Sequence, residues 1–360
     1  MRLLAIESSC DETAAAVIEG RGLKPVLRSN VVSSQIDLHK AYGGVVPEVA
    51  AREHVLNILP VVAEALKKAG LTRDTAAKKL DAIAVTVGPG LITSLMVGIE
   101  TAKTLAYAWK LPIVAVNHIE GHLYSNFLDG SPKLPALILT VSGGHTQLVL
   151  MRDHLSYKTV GETRDDAAGE AFDKAAKLLG LGYPGGPLVS KAAAEFAAKL
   201  VIPVKSAAAD ASRDPHSIIL PRPMINDKSY DFSFSGLKTA LLYLIQKDKN
   251  YKKRIPEYCY AFEQAVVEVL VTKTLRAAKH FKVRSVMLAG GVAANTSLRE
   301  TLKAESTKAG LKFAMPALAY TTDNAAMIAA AAYFKFKAGK TTPWRKLKVD
   351  PNLELQNNTK

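Results

Sequence analysis

Cysteine is nearly absent from this chain: Cys10 and Cys259 are the only two among 360 residues. That excludes a disulfide scaffold and a zinc site of four cysteines, and it suits a reducing compartment. Long apolar runs are missing too. The longest, Ala325–Phe334, is too short to span a bilayer. The opening Met1–Glu7 reaches an acid at once, with no basic stretch before an apolar one, so no signal peptide is expected and the protein should be soluble and cytoplasmic, away from membranes. Acids are in deficit. Against 47 Lys and Arg stand 33 Asp and Glu, a net charge of +14, which favours a polyanionic partner such as nucleic acid. With 48% hydrophobic and 22% charged residues the chain is globular, and its length predicts two domains or one two-lobed domain.

The order of predicted elements repeats. An apolar strand at 3–6, a polar turn at 7–12 and a second strand at 13–18 are followed by a possible third at 31–33. A helix is predicted over 48–68 from the recurrence of Val49, Leu56, Leu59, Ala63 and Leu66. A buried-type strand at 81–87, the break Gly88-Pro89-Gly90 and a helix at 92–110 complete the unit. The same succession follows: strands at 135–141, 146–151 and 155–160, helices at 167–179 and 256–281, a strand at 283–289, the break Gly290-Gly291 and a helix at 295–309. Two α/β lobes facing each other would gather both hairpin turns and both glycine breaks around one cleft. The stretch 199–221 reads as a surface insertion, and 335–360, with seven Lys or Arg against two acids, as a basic, frayed tail. Lys247–Arg254 is a further basic run. Each run is a solvated face or a contact for RNA phosphates.

Several familiar catalytic signatures are missing. There is no Walker A motif, no Gly-x-Gly-x-x-Gly fingerprint and no Ser-His-Asp arrangement. What is present is His118 and His122 in Asn-His-Ile-Glu-Gly-His, four apart and hence on one face if a helix begins there. This is not His-Glu-x-x-His, because the Glu stands at the wrong offset. Asp323, at a predicted helix start, is a candidate third ligand or a helix cap. Two imidazoles and a carboxylate with open positions suit Fe(II) or Zn(II). Glycine clusters at 143–144, 185–186 and 290–291 would let backbone N–H groups approach a phosphate or a base. Asp165, Asp166, Glu170 and Asp173 could hold hydroxyl and amino groups, or form a solvated face with Lys174 and Lys177. Asp11 and Glu12 occupy the first hairpin turn, and Cys10 reads as a small packed residue.

Taken together these motifs resemble the tRNA N6-adenosine threonylcarbamoyltransferase family (TsaD-type, formerly glycoprotease). The resemblance runs from Met1 to about Gly339 and rests on Glu-Ser-Ser-Cys-Asp-Glu-Thr at 7–13, Tyr-Gly-Gly-Val-Val-Pro-Glu at 42–48, Asn-His-Ile-Glu-Gly-His at 117–122, Val-Ser-Gly-Gly-His-Thr at 141–146, Asp-Asp-Ala-Ala-Gly-Glu-Ala-Phe-Asp-Lys at 165–174, Tyr-Pro-Gly-Gly-Pro at 183–187, Asp-Phe-Ser-Phe-Ser-Gly-Leu-Lys-Thr at 231–239, Gly-Gly-Val-Ala-Ala-Asn at 290–295 and Thr-Asp-Asn-Ala-Ala-Met-Ile-Ala at 322–329.

The resemblance implies an α/β, two-lobed fold like actin, the heat-shock chaperone ATPases and the sugar kinases (ribonuclease H-like), with a central cleft. The expected first lobe is 1–109 plus 324–339, the second 110–323, and 340–360 the tail. It implies transfer of threonylcarbamoyl from threonylcarbamoyl-AMP to N6 of the adenosine at tRNA position 37, with release of AMP. By motif, His118, His122 and Asp323 are implied ligands of one divalent ion, Fe(II) first, Zn(II) or Mg(II) otherwise. Thr140, Val141, Ser142, Gly143, Gly144, Asp173, Gly186 and Asn295 are implied to hold the adenylate, with Asp11 and Glu12 assisting. Ser190 stands where some relatives carry an acid. The wording of the motifs is bacterial, which implies an inactive paralogue (TsaB-type) and a small ATPase (TsaE-type) as partners, the former packing on the helices 48–68 and 92–110. The rival readings are an ATP-dependent phosphotransferase or ATPase of the same fold, which would hold Mg²⁺ through carboxylates, a metallopeptidase, and a non-catalytic paralogue, which would have lost the histidines.

Overall fold

In the computed structural model, which describes residues 1–200 and 218–355, the predicted repetition is real. The first unit runs β1 (Arg2–Glu7), β2 (Glu12–Arg21), β3 (Lys24–Ser34), α1 (Ile36–Lys40), α2 (Pro47–Lys68), α3 (Arg73–Lys79), β4 (Ala82–Gly88), α4 (Ile92–Trp109), β5 (Ile113–Asn117) and α5 (His118–Ser125). The second runs β6 (Ala136–Val141), β7 (Thr146–Asp153), β8 (Ser156–Glu162), α6 (Ala168–Leu179), α7 (Gly185–Leu200), α8 (Ser235–Lys247), α9 (Ile255–His280), β9 (Ser285–Ala289), α10 (Thr296–Lys308), β10 (Lys312–Ala314) and α11 (Ala325–Lys337). Each unit forms a five-stranded sheet, ordered β3-β2-β1-β4-β5 and β10-β9-β6-β7-β8. In both, an antiparallel meander supplies three strands and helical crossovers add two parallel ones.

Both faces of each sheet are covered, so the strands are apolar throughout rather than alternating. The period of two still sorts them. Leu3 and Ala5 of β1 face a core between the sheets, while Leu4 and Ile6 face one under α2 and α4. Likewise Ala136 and Ile138 of β6 face the central core, and Leu137, Leu139 and Val141 the core beneath α6 and α9. The central core is threaded by α5 and α11. That is why Ala325–Phe334, the longest apolar run of the sequence, is buried on every side: it is a helix sandwiched by two sheets. Among the described residues no helix is long and apolar enough to cross a membrane.

Three expectations are corrected. The lobe boundary does not fall after residue 109, because β5 pairs in parallel with β4 inside the first sheet. Apolar periodicity alone cannot see which sheet a strand joins. Nor does a frayed tail begin at 340. Leu347 is buried, Trp344 packs edge-on to Tyr107 at 5.5 Å, and the Thr342 and Asp350 N–H groups donate to the carbonyls of Ile113 and Val87. Charge composition hid the apolar anchors Trp344, Leu347 and Leu353. Finally, Leu56 and Leu59 of α2 point outward, 67% and 63% exposed; the buried stripe is Ala50, His54, Ile58, Val61, Val62, Ala65 and Leu66, so of the expected set Leu66 alone is fully buried. This helix has two apolar faces, and the sequence period mixes them, Leu56 and Leu59 from the outer and Leu66 from the inner. The insertion expected at 199–221 lies largely outside the described residues.

Candidate metal centre and nucleotide cleft

The two histidines share a face because a helix starts immediately before them. Asn117 Oδ1 accepts from the N–H groups of Ile119 (2.8 Å) and Glu120 (3.3 Å), capping α5 at the end of β5. Gly121 lets α5 press onto α11, since a Cβ there would come within 2.7 Å of Ile328. The third residue arrives from the other unit. Asn324, not Asp323, caps α11, its Oδ1 accepting from the Met327 N–H at 3.1 Å. Asp323 is thereby free of capping. Its Oδ1 lies 3.4 Å from His118 Nε2 and 3.2 Å from His122 Nε2, and the three donor atoms fall within 4.8 Å of one another.

These residues fit a metal ion. Among the described residues neither ring nitrogen of fully buried His122 has a hydrogen-bond partner, Asp323 being an ion-pair contact of Nε2 alone, a costly state unless a ligand completes it. His118 has the arrangement typical of a ligating imidazole: Nδ1 meets Ser9 Oγ at 3.0 Å and Glu7 Oε2 at 3.4 Å, which leaves Nε2 toward Asp323. Burial pushes the Asp323 carboxyl up, but the facing imidazoles of His118 and His122 outweigh it and hold the group well below the usual range. Burial likewise opposes charging His118, and the carboxylates of Asp323 and Glu7 overcome it.

Glu7 escaped the sequence reading, which placed it in a polar turn. It is the last residue of β1, wholly buried, and accepts from the Ser9 N–H and from Thr86 Oγ1, each at 2.6 Å. Burial raises its carboxyl, and the His118 contact brings it below the ordinary value. A buried acid ending an apolar strand was the available signal. Glu120, between the histidines, faces away from the metal ligands. It pairs with Lys335 of α11 at 2.7 Å and accepts from Tyr157 at 3.2 Å, so it ties α5, which carries the two histidines, to the helix that Asp323 precedes.

A cavity of about 790 Å³ joins His118 and Asp323 to both hairpin turns. From the first come Asp11 and Glu12; from the second Ser142, Gly143 and Gly144; from the middle of α6 Asp173, and from the starts of α7 and α10 Gly186 and Asn295. The β6–β7 turn is tight, with the Ser142 N–H donating to the His145 carbonyl at 2.8 Å and the His145 N–H to Ser142 Oγ at 3.1 Å. Asp173 accepts from the Gly185 N–H at 2.7 Å, at the start of α7; burial raises its carboxyl. Asn295 caps α10 and turns its Nδ2 to Ser190 Oγ (2.7 Å) and to Glu263 Oε1 (2.6 Å). Buried Glu263 of α9, unnoticed in the sequence, thus stands behind Ser190. Glu12 is raised well above the usual carboxylate range by burial, then by Asp323 and Asp11.

Other expected residues are not brought to the cleft. Thr140 and Val141 are buried in β6 and do not line the cavity. His122 sits behind it. Asp165 instead receives the Ser233 and Ser235 hydroxyls (2.6 and 2.7 Å) and the Phe234 N–H, fastening the start of α8. Asp166 and Glu170 pair with Lys174 at 2.6 and 2.9 Å, so of the acidic group Asp173 and Glu170 alone reach the cavity.

Comparison with known proteins follows this geometry. The family model described as "TsaD: tRNA N6-adenosine threonylcarbamoyltransferase" matches residues 26–330. A tRNA N6-adenosine threonylcarbamoyltransferase of Dehalococcoides mccartyi is 50% identical over 342 residues, 94% of this chain and 95% of that protein. The protein of the same name from Bacillus subtilis is 47% identical over 358 residues, 99% of this chain and 96% of the other. Among solved structures, HypF of T. kodakarensis superposes with a TM-score of 0.59 at 13% identity, covering 94% of this chain and 48% of that one, a likeness of fold alone. The chain belongs to the TsaD family of tRNA-modifying tRNA N6-adenosine threonylcarbamoyltransferases.

Proposed function

We propose that the protein transfers the threonylcarbamoyl group of threonylcarbamoyl-AMP to N6 of the adenosine at tRNA position 37. The observation that carries this reading is one cavity lined both by the metal-ligand pair His118 and Asp323 and by a glycine-rich turn with two helix starts. In the reaction a bond forms between N6 and the carbamoyl carbon, the bond from that carbon to the phosphate oxygen breaks with its electron pair leaving on AMP, and one N6 proton passes to solvent.

The chain's residues divide this work. The backbone of Gly143 and Gly144 and the N-terminal ends of α7 and α10 offer N–H groups and favourable dipole to the adenylate phosphate. Asp173, Gly186 and Asn295 border the same space and would hold its nucleoside part. Asp11 and Glu12 lie across the cleft, and the carbamoyl N–H and threonyl hydroxyl suit them. His118, His122 and Asp323 would hold one divalent ion, Fe(II) by the ligand set. When bound, such an ion supplies Lewis-acid stabilisation of charge on the carbonyl or phosphate oxygens. Positioning of the weak N6 nucleophile carries the rest.

The net charge of +14 suits tRNA. Val55, Leu56 and Leu59 of α2, with Ile92 and Met96 of α4, form an exposed apolar face suited to a paralogous TsaB-type subunit. A TsaE-type ATPase rests on the family resemblance, and a cytoplasmic location on the substrate. Glu120 faces Lys335, so the rival metallopeptidase reading lacks a general base at that position.

The test supplies threonylcarbamoyl-AMP and unmodified tRNA, with and without partner subunits, and reads modified adenosine by nucleoside mass spectrometry beside metal content. Product from wild type, at least about a hundredfold less from His118→Ala with its metal lost, is expected. Folded, metal-loaded wild type that makes no product with any partner set would overturn the assignment.

A further inference from the structure

A second cavity, of about 630 Å³, lies on the far side of the β6–β7 turn. Its size falls within the range of small-molecule sites. The walls come from β7 and β8, from Ile119 of the metal-bearing helix, and from the docked segment 351–355. Three residues, Pro89, Gly90 and His145, line this cavity and the main cleft alike. The two spaces therefore adjoin at a window beside the metal ligands.

The two cavities differ in chemistry. Glycine turns and helix starts, the features that attract a phosphate, border the main cleft. Of such features the second has only Gly90, of the break after β4, and Ile119, near the start of α5, and it carries the carboxylates of Glu162, Asp231 and Glu354, which repel a phosphate. What it offers is acceptors and apolar walls, among them Val160 and Leu353. Gln147 is the polar group left incomplete. Among the described residues its Oε1 is buried without a hydrogen-bond partner. Its orientation is set by Glu162, whose Oε2 accepts from Gln147 Nε2 at 3.4 Å and could not face the amide oxygen. An unpaired buried amide oxygen is costly, and a ligand carrying an N–H would satisfy it.

Resting on the transfer reaction above, we propose that this cavity receives the acceptor adenine, with Gln147 reading its N6 and N7 edge. A glutamine amide matches that edge in bidentate fashion, Oε1 accepting one N6 hydrogen and Nε2 donating to N7. The hydrogen bond lies in the plane of the base. It leaves the nitrogen lone pair, which stands perpendicular to that plane, free to meet a carbonyl presented through the window. Donor and acceptor thus enter from opposite sides of the β6–β7 turn and meet beside His145. The carboxylates around the second cavity reject free nucleotides there, while a base held on a tRNA reaches in without its phosphates.

Two variants test this in the complete assembly, Gln147→Leu and Thr159→Phe, the latter filling the cavity from β8. Each should lower kcat/KM for tRNA at least about tenfold, with metal content and affinity for AMP unchanged. A tRNA carrying 7-deazaadenosine at position 37 adds a readout that a structural defect would not move: it should cost wild type about tenfold and cost Gln147→Leu nothing further. Wild-type kcat/KM in both variants, or full additivity of the 7-deaza effect, would overturn the proposal while leaving the transfer reaction intact. Absence of product from wild type would instead remove the reading on which it rests.

Discussion

The two sheets share one strand order, yet their corresponding turns carry opposite chemistry. After β1 the chain presents Ser9, Asp11 and Glu12; after β6 it presents Ser142, Gly143 and Gly144. The first turn is acidic and braced: His54 pins it through Thr13 Oγ1 (2.7 Å) and the Cys10 carbonyl (2.9 Å). The second is small and tight, and Gly169 at the start of α6 approaches it so closely that a Cβ would lie 2.5 Å from the Ser142 carbonyl. The junctions after the fifth strands are where the units converge. Following β5, α5 supplies His118 and His122; following β10, the turn before α11 supplies Asp323. The three candidate ligands therefore gather where two like units meet, and neither unit holds all of them.

The largest effect should come from severing that joint contribution. Asp323→Asn, nearly isosteric, should release the metal and lower transfer at least about a hundredfold, read by elemental analysis beside nucleoside mass spectrometry. Retained metal at wild-type stoichiometry would confine the site to the first unit. Next is the clamp between the two junctions. Glu120→Gln leaves Lys335 facing a neutral partner across α5 and α11 and should destabilise the fold by about 3 kcal/mol in urea unfolding; a change under half that would show that apolar packing alone aligns the helices. Glu7→Gln should weaken metal binding by about tenfold or more through His118, with unfolding free energy moving far less. Unaltered affinity in a competitive chelator titration would reduce Glu7 to packing. Smallest is a contrast within α2. Ile58→Ala should cost about 2 to 4 kcal/mol and Leu56→Ala under about 0.5 in the isolated chain. Equal losses would mean that the outer apolar face is covered within the monomer.

Much of this arrangement was readable in advance. The doubled order of strands, glycine breaks and helices follows from apolar period and turn residues, while the spacing of His118 and His122 allows a shared helix face without choosing between a surface pair and a ligand pair. Asp323 was named beside a helix start, but which of Asp323 and Asn324 caps α11 depends on backbone angles. Glu7, Gln147 and Glu263 were not marked. Each is a polar residue in an element that otherwise reads as ordinary strand or helix, and its importance lies in partners 79 to 111 positions away for Glu7, 15 for Gln147 and 32 for Glu263. The docked tail was hidden for the opposite reason: Trp344, Leu347 and Leu353 are sparse anchors in a basic stretch, and only the groove they meet identifies them.

By itself the sequence determined the elements and the local chemistry, because hydrophobic period, helix caps and glycine turns act over a few residues. Tertiary structure alone decided that β5 joins the first sheet, that α5 and α11 lie against each other at the centre, and that a carboxylate reaches two imidazoles 200 residues earlier in the chain. Those outcomes depend on which apolar faces bury each other, and burial is a property of the assembled core that no local window contains.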